Sequence, residues 1–226
     1  MTHALLANIV WHSLAGPHAR YSSGTEDARR YTQGFSPIIG FANAEHPNFS
    51  ALEPYCEIGE RVYCAAWSGP VPSGWQIDVD AVGHQMMWEG EAPAVDGELR
   101  AVRLGSADVP QMLQLVAATQ PGPFAERTVE LGEYYGVFEG ERLVAMAGER
   151  FEAGTLREIS GVCTHPDFQG RGLARRLVQM LIRLEIGRNK IPFLHVMNDN
   201  HRARRIYERM GFRRIQDCVV RVVSRT

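Results

Sequence analysis

The chain has 226 residues, 45% of them apolar and 22% charged, with a formal net charge of −2. That length buries a core whether it folds as one large domain or two small ones. The charge balance provides no global basic field for nucleic acid or an anionic membrane, and no apolar run approaches the roughly 18 residues of a membrane span. The opening MTHALLANIVWHSLAG lacks a basic flank ahead of a long apolar core and does not read as a signal peptide. Cys56, Cys64, Cys163 and Cys218 make no C-x-x-C pair, and no His stands near them at zinc-ligand spacing. Free thiols, no metal and a cytoplasmic location are expected.

In chain order, LLANIVWHSLAG reads as a short helix closed by Gly16. RVYCAAW (61–67) and GWQIDVDAV (74–82) read as strands joined by the turn-rich SGPVPSG. This first part carries no catalytic spacing. EGEAPAVDGELR (89–100) is acidic and holds Pro93 and Gly97. It is the expected seam between a diverged N-terminal α/β domain, 1–95, and a second domain, 100–226.

The second part is clearer. AVRLG (101–105) is a short strand, and Ser106 is the expected cap of a helix through VPQMLQLVAATQ that stops at Pro121. EYYGVFEGERLVAMAGERFEA reads as two strands turning at Glu139–Gly140. LREISGVCTHP (156–166) is a strand ended by Pro166. GLARRLVQMLIRLEIGR has apolar residues at 173, 177, 180, 181 and 184, a helical period. PFLHVM (192–197) is a buried strand, NHRARRIYERMG (200–211) a helix capped by Gly211, and FRRIQDCVVRVVS (212–224) one or two strands. The order β-α-β-β-β-α-β-α-β predicts an α/β (α+β) fold, with a mixed, mostly antiparallel sheet flanked by helices.

HPDFQGRGLARRL (165–177) packs a strand end, a glycine-bearing loop and a helix start into thirteen residues, with no acid after Asp167. Free amides at a helix N-terminus and a loop that lets a ligand approach the backbone suit a phosphate group. Arg171, Arg175 and Arg176 add positive charge. The spacing is neither a P-loop nor a G-x-G-x-x-G fingerprint, and a plain turn at Gly170 and Gly172 explains the glycines equally well. Further on, Asn200 and Tyr207 are seven residues apart, close to two helical turns, so they share a face with the small Ala203 between them.

These two runs resemble the GNAT superfamily of acyl-CoA-dependent N-acyltransferases, over roughly residues 100–224. Gln169-Gly170-Arg171-Gly172-Leu173-Ala174 is similar to the family's pyrophosphate loop, with Ala174 where many members have Gly. The run N-x-x-A-x-x-I-Y-x-x-x-G-F, from Asn200 to Phe212, resembles its C-terminal half-motif. The whole chain is similar to two-part bacterial members with a diverged first half. The resemblance implies acetyl-CoA as co-substrate, held by the loop amides and by Asn200 and Ala203. It implies direct acetyl transfer to the amine of a small molecule or protein, with Tyr207 protonating the leaving thiolate. A backbone N–H of Val162, Cys163 or Thr164 would hold the thioester carbonyl.

For the base, Glu158 stands eleven residues before Gln169, the offset some histone-type members use, and Glu149 is the competitor. Pairing of Glu158 with Arg150 or Arg157 is the structural alternative. Cys163 reads as an inert buried thiol, His165 as structural at a turn, and His195 as a core or pocket-lining residue. The RARR run (202–205) reads as a solvated helix face. The first part and the loop 119–136 are the candidate walls of the acceptor site. A non-catalytic acyl-CoA sensor or scaffold is the competing reading, and monomer and homodimer are both open.

Overall fold

A computed structural model describes residues 2–226. Its helices are α1 (Thr2–Ala7), α2 (Ile9–Ala15), α3 (Val109–Thr119), α4 (Leu173–Gly187) and α5 (His201–Met210). Its strands are β1 (Ser22–Gly24), β2 (Ala28–Tyr31), β3 (Ile38–Phe41), β4 (Arg61–Ala65), β5 (Trp75–Trp88), β6 (Ala101–Leu104), β7 (Tyr134–Glu139), β8 (Arg142–Ala153), β9 (Leu156–Thr164), β10 (Ile191–Met197) and β11 (Phe212–Arg225). All eleven strands join one sheet in the order β1-β2-β3-β4-β11-β5-β10-β9-β8-β7-β6. Only β3–β4 and β9–β10 run parallel. The mixed, mostly antiparallel sheet is the architecture expected.

Helices cover both faces because side chains alternate along each strand. Met86 and Leu194 face α4, whose Leu173, Leu177, Val178, Leu181 and Ile182 are buried. Their neighbours Met87 and Phe193 face the other way, onto Leu6, Ile9, Val10 and Leu14 of α1 and α2. Ser13 Oγ fastens α2 to β8 by donating to the carbonyl of Glu152 at 3.0 Å.

Some expectations are corrected. Ser106 does not cap α3; Ser106–Asp108 is a 3-10 turn in which the Gly105 amide donates to Asp108 Oδ2 at 2.8 Å. The helix follows from Val109 with no side-chain cap. The strand expected over 74–82 continues to Trp88, and 212–224 lies within one strand broken by two register shifts. The short strands β1–β3 add an unforeseen edge to the sheet. The stretch expected as a seam connects β5 to β6 and lies along α4: Asp96 accepts from Arg176 and the carbonyl of Pro93 from Arg183.

One feature positions the site. β9 and β10 pair only through Leu156–Ile191, Arg157–Pro192 and Glu158–Phe193. Beyond Glu158 each keeps its other neighbour, β9 with β8 as far as Thr164 and β10 with β5 as far as Met197. The two strands therefore splay apart. Gly161, at φ +63°, carries a bulge that bends β9 at the fork.

Candidate functional site

The fork opens into a cavity of about 790 Å³, the size of a small-molecule site. It brings together Val162, Cys163 and Thr164 of β9, Gln169, Gly170, Gly172, Leu173 and Ala174 of the loop, and Asn200, Ala203 and Tyr207 of α5. Glu158 lies at its apex. Arg171 is the exception. It reaches outward, over the Phe168 ring and to Glu139 at 3.2 Å. Arg176 also contributes no charge to the loop, because Asp96 takes its guanidinium. Arg175 and Arg202 line the cavity instead, and Arg202 Nη1 donates to Gln169 Oε1 at 2.9 Å. The RARR run is thus a solvated face only in part.

The loop leaves a row of backbone donors free. Gly170 (φ +81°) and Gly172 (φ +73°) adopt the left-handed region, which a side chain would strain. The first backbone bond of α4 runs from the Arg176 amide to the Gly172 carbonyl. The amides of Gly170 through Arg175 find no acceptor among the described residues. They form a row of free donors at the positive end of a fifteen-residue helix. On α5, Asn200 caps the helix, its Oδ1 accepting from the Ala203 amide at 3.1 Å, and its side-chain amide remains on the cavity wall.

Tyr207 packs edge-on against Phe212, and burial raises its phenol to about 12, so it is protonated at neutral pH. Burial also pushes the thiol of Cys163 up to about 11 and that of Cys64, on the opposite wall, up to about 12. Neither is a thiolate nucleophile. His165 is structural: its Nδ1 accepts from the Asp167 amide, and Arg142 reaches its Nε2.

Glu158 is 1% exposed. Arg150 grips both its oxygens at 2.8 Å, and His195 Nδ1 lies 2.6 Å from Oε1. Burial alone would raise the carboxyl; the Arg150 and His195 charges and hydrogen bonds outweigh it and hold it at about 2. The same carboxylate, against the cost of burial, pushes His195 up to about 9. Gln85 Nε2 lies 3.0 Å from His195 Nε2 while donating to the Leu6 carbonyl, an arrangement that suits the neutral ring. The Arg150–Glu158 pairing is the structural alternative weighed from the sequence; the His195 partner was out of reach because it depends on which residue of β10 lies beside β9. The competitor Glu149 is excluded from the cavity. Arg157 and Arg188 bind it on the far side of β8, where Arg188 also holds Glu185 at 2.7 Å.

The remaining wall comes from the first part, with Val10, Ile38, Tyr63 and Ala65, and from Val79, Val220 and Val222 of β5 and β11. Thr119–Pro123 close one side. No group of metal-ligating side chains exists among the described residues, and no described helix is long and apolar enough to cross a membrane.

The strand fork ends beside a helix with free N-terminal amides, and it is the comparisons that give this scaffold its class, an acetyltransferase. The FR47-like protein model matches residues 134–221. The chain is 33% identical over 109 residues to N-alpha-acetyltransferase RimI of Mycobacterium tuberculosis, covering 45% of this chain and 68% of that one. A GNAT-family structure from Novosphingobium aromaticivorans superposes with a TM-score of 0.89 at 34% identity, covering 98% of both chains. A GCN5-related N-acetyltransferase from Kribbella flavida shares the fold, with a TM-score of 0.64 at 15% identity over 96% of this chain and 94% of that one. The chain belongs to the GNAT family of acetyltransferases.

Proposed function

We propose that the protein transfers an acetyl group from acetyl-CoA directly to an amine within a ternary complex. The row of free amides from Gly170 to Arg175 at the mouth of the fork carries this reading. The residues fit the donor. Those amides and Arg175 suit a pyrophosphate, and the unpaired side of β9 at Val162–Thr164 suits an extended pantetheine arm. The donor supplies an activated thioester; the rest is the work of the chain.

Tyr207 keeps its proton at neutral pH and faces the cavity, so it can protonate a departing thiolate. With the Cys64 and Cys163 thiols protonated, no covalent carrier is at hand, which favours direct transfer. The acceptor amine must lose a proton. A carboxylate at about 2 is far too weak a base for an ammonium near 8–10 when acting alone. We assign the task to the Glu158–His195 pair, in which Glu158 holds Nδ1 and the proton goes to Nε2, the nitrogen that the Gln85 amide faces and must yield.

Calorimetric titration with acetyl-CoA, with CoA and NADH alongside, tests the reading. Micromolar binding of both CoA species, lost in Gly172→Glu, followed by thiol release with an amine, supports it. Binding without turnover for any amine would leave the acyl-CoA sensor.

A further inference from the structure

Beside Glu158 the cavity extends into a small side recess lined by Pro121, Pro123, Tyr134, Arg150, Ser160 and Gly161. Three donors meet there. Tyr134 is 1% exposed, yet its hydroxyl has no hydrogen-bond partner. A buried hydroxyl without a partner costs free energy and calls for an acceptor. Arg150 spends Nε and Nη2 on Glu158, and its Nη1 finds no protein acceptor among the described residues. Ser160 Oγ likewise makes no hydrogen bond to the described residues and opens on both recess and cavity.

The charge around the recess has one sign. Glu158 is the only acidic residue lining the cavity among the described residues, and Arg150 and His195 both spend their charge on it. A polycationic acceptor has nothing to pair with here, whereas a carboxylate meets a guanidinium and two hydroxyls. The facing wall, with Val10, Ile38, Val220 and Val222, is apolar.

Resting on the transferase reading, we propose that the acceptor is an apolar α-amino acid. The recess, of about 10 Å³, admits one oxygen-sized atom, so one carboxylate oxygen enters it between Arg150, Tyr134 and Ser160 while the rest of the amino acid stays in the main cavity, its amine facing the Glu158–His195 pair and its side chain on the apolar wall. Tyr134 and Ser160 are then specificity residues. A peptide N-terminus, which has an amide in place of the carboxylate, is discriminated against.

The test is calorimetry on the full chain in saturating CoA. L-Leucine and L-phenylalanine are compared with leucinamide, phenylalaninamide and phenethylamine. The acids are expected to bind about tenfold tighter or more, the worth of charge-assisted hydrogen bonds. Tyr134→Phe combined with Ser160→Ala should cut that ratio severalfold, leaving the Arg150 contribution, while CoA affinity stays unchanged. Amides or amines that bind as tightly as the acids overturn the proposal, and so does a failure of the acids to bind. If CoA itself does not bind, the transferase reading fails instead, and the acid–amide comparison without CoA still decides the recess.

Discussion

Replacing Glu158 with Gln removes the only negative charge between Arg150 and His195. The magnitude follows from two independent routes. The carboxyl sits at about 2 against an ordinary 4.5, which at about 1.4 kcal/mol per pH unit is about 3–4 kcal/mol. Breaking a buried ion pair by removing one partner costs about 3–5 kcal/mol, and here the side chains are 1% and 12% exposed. A loss of about 3 kcal/mol in a chain of this size lowers the melting temperature by about 6–12 °C. Because the folded carboxyl is depressed, its contribution is complete above pH 4.5 and is lost as pH falls through about 2. Urea melts of wild type and variant at pH 7, 5 and 3 should therefore converge toward acid. A difference below about 1 kcal/mol at pH 7, or one that does not shrink by pH 3, refutes the ion-pair account. In the same variant CoA affinity should hold while acetyl transfer falls, since Glu158 lies at the apex of the fork and not in the loop.

Other predictions follow from the site. Gly172→Glu places a like charge and a strained left-handed residue at the amides proposed to hold the pyrophosphate, so calorimetry should show CoA affinity falling at least about a hundredfold, or about 3 kcal/mol. Tyr207→Phe should reduce kcat by about 10²–10⁴-fold in thiol-release assays with little change in CoA binding. His195, raised to about 9, stabilises the fold fully below pH 6.5 and loses that contribution as pH rises through about 9. The urea midpoint should fall over that range in wild type and stay flatter in His195→Gln. The transfer rate should rise with pH to a limb at or below about 9, and Glu158→Gln should shift the limb toward acid.

The parts of the site that the sequence revealed are local in the chain. Leu173 to Leu184 repeats at a helical period, Pro166 ends the strand before it, and Gly170 and Gly172 occupy positive-φ positions that glycine tolerates. Asn200 and Tyr207 converge because one short helix carries both. What escaped is non-local. The three- and four-residue strands SSG, ARRY and IIGF are too short to show a period. Strand β5 alternates only as far as Val82; from Gly83 to Met87 it is buried on both faces between β10 and β11, and its pattern fades there. Arg150 was one of two pairing partners open for Glu158, but His195 meets it only through the register of β10 on β9. Ser106 misled because Asp108, two residues later, offers the competing turn.

The placement of β5 between β10 and β11 has a consequence for synthesis. Trp75–Trp88 leaves the ribosome long before either of its neighbours exists. At about 5–20 residues per second, the roughly 140 residues between Trp88 and the end of β11 take about 7–28 s to appear. Until β10 appears the segment around Met86, Met87 and Trp88 has two unpaired edges, and one until β11 follows, the kind of strand that pairs with other chains. Slower translation lengthens that interval and holdase chaperones shield it, so soluble yield depends on how the last strand is delivered as much as on the stability of the finished fold.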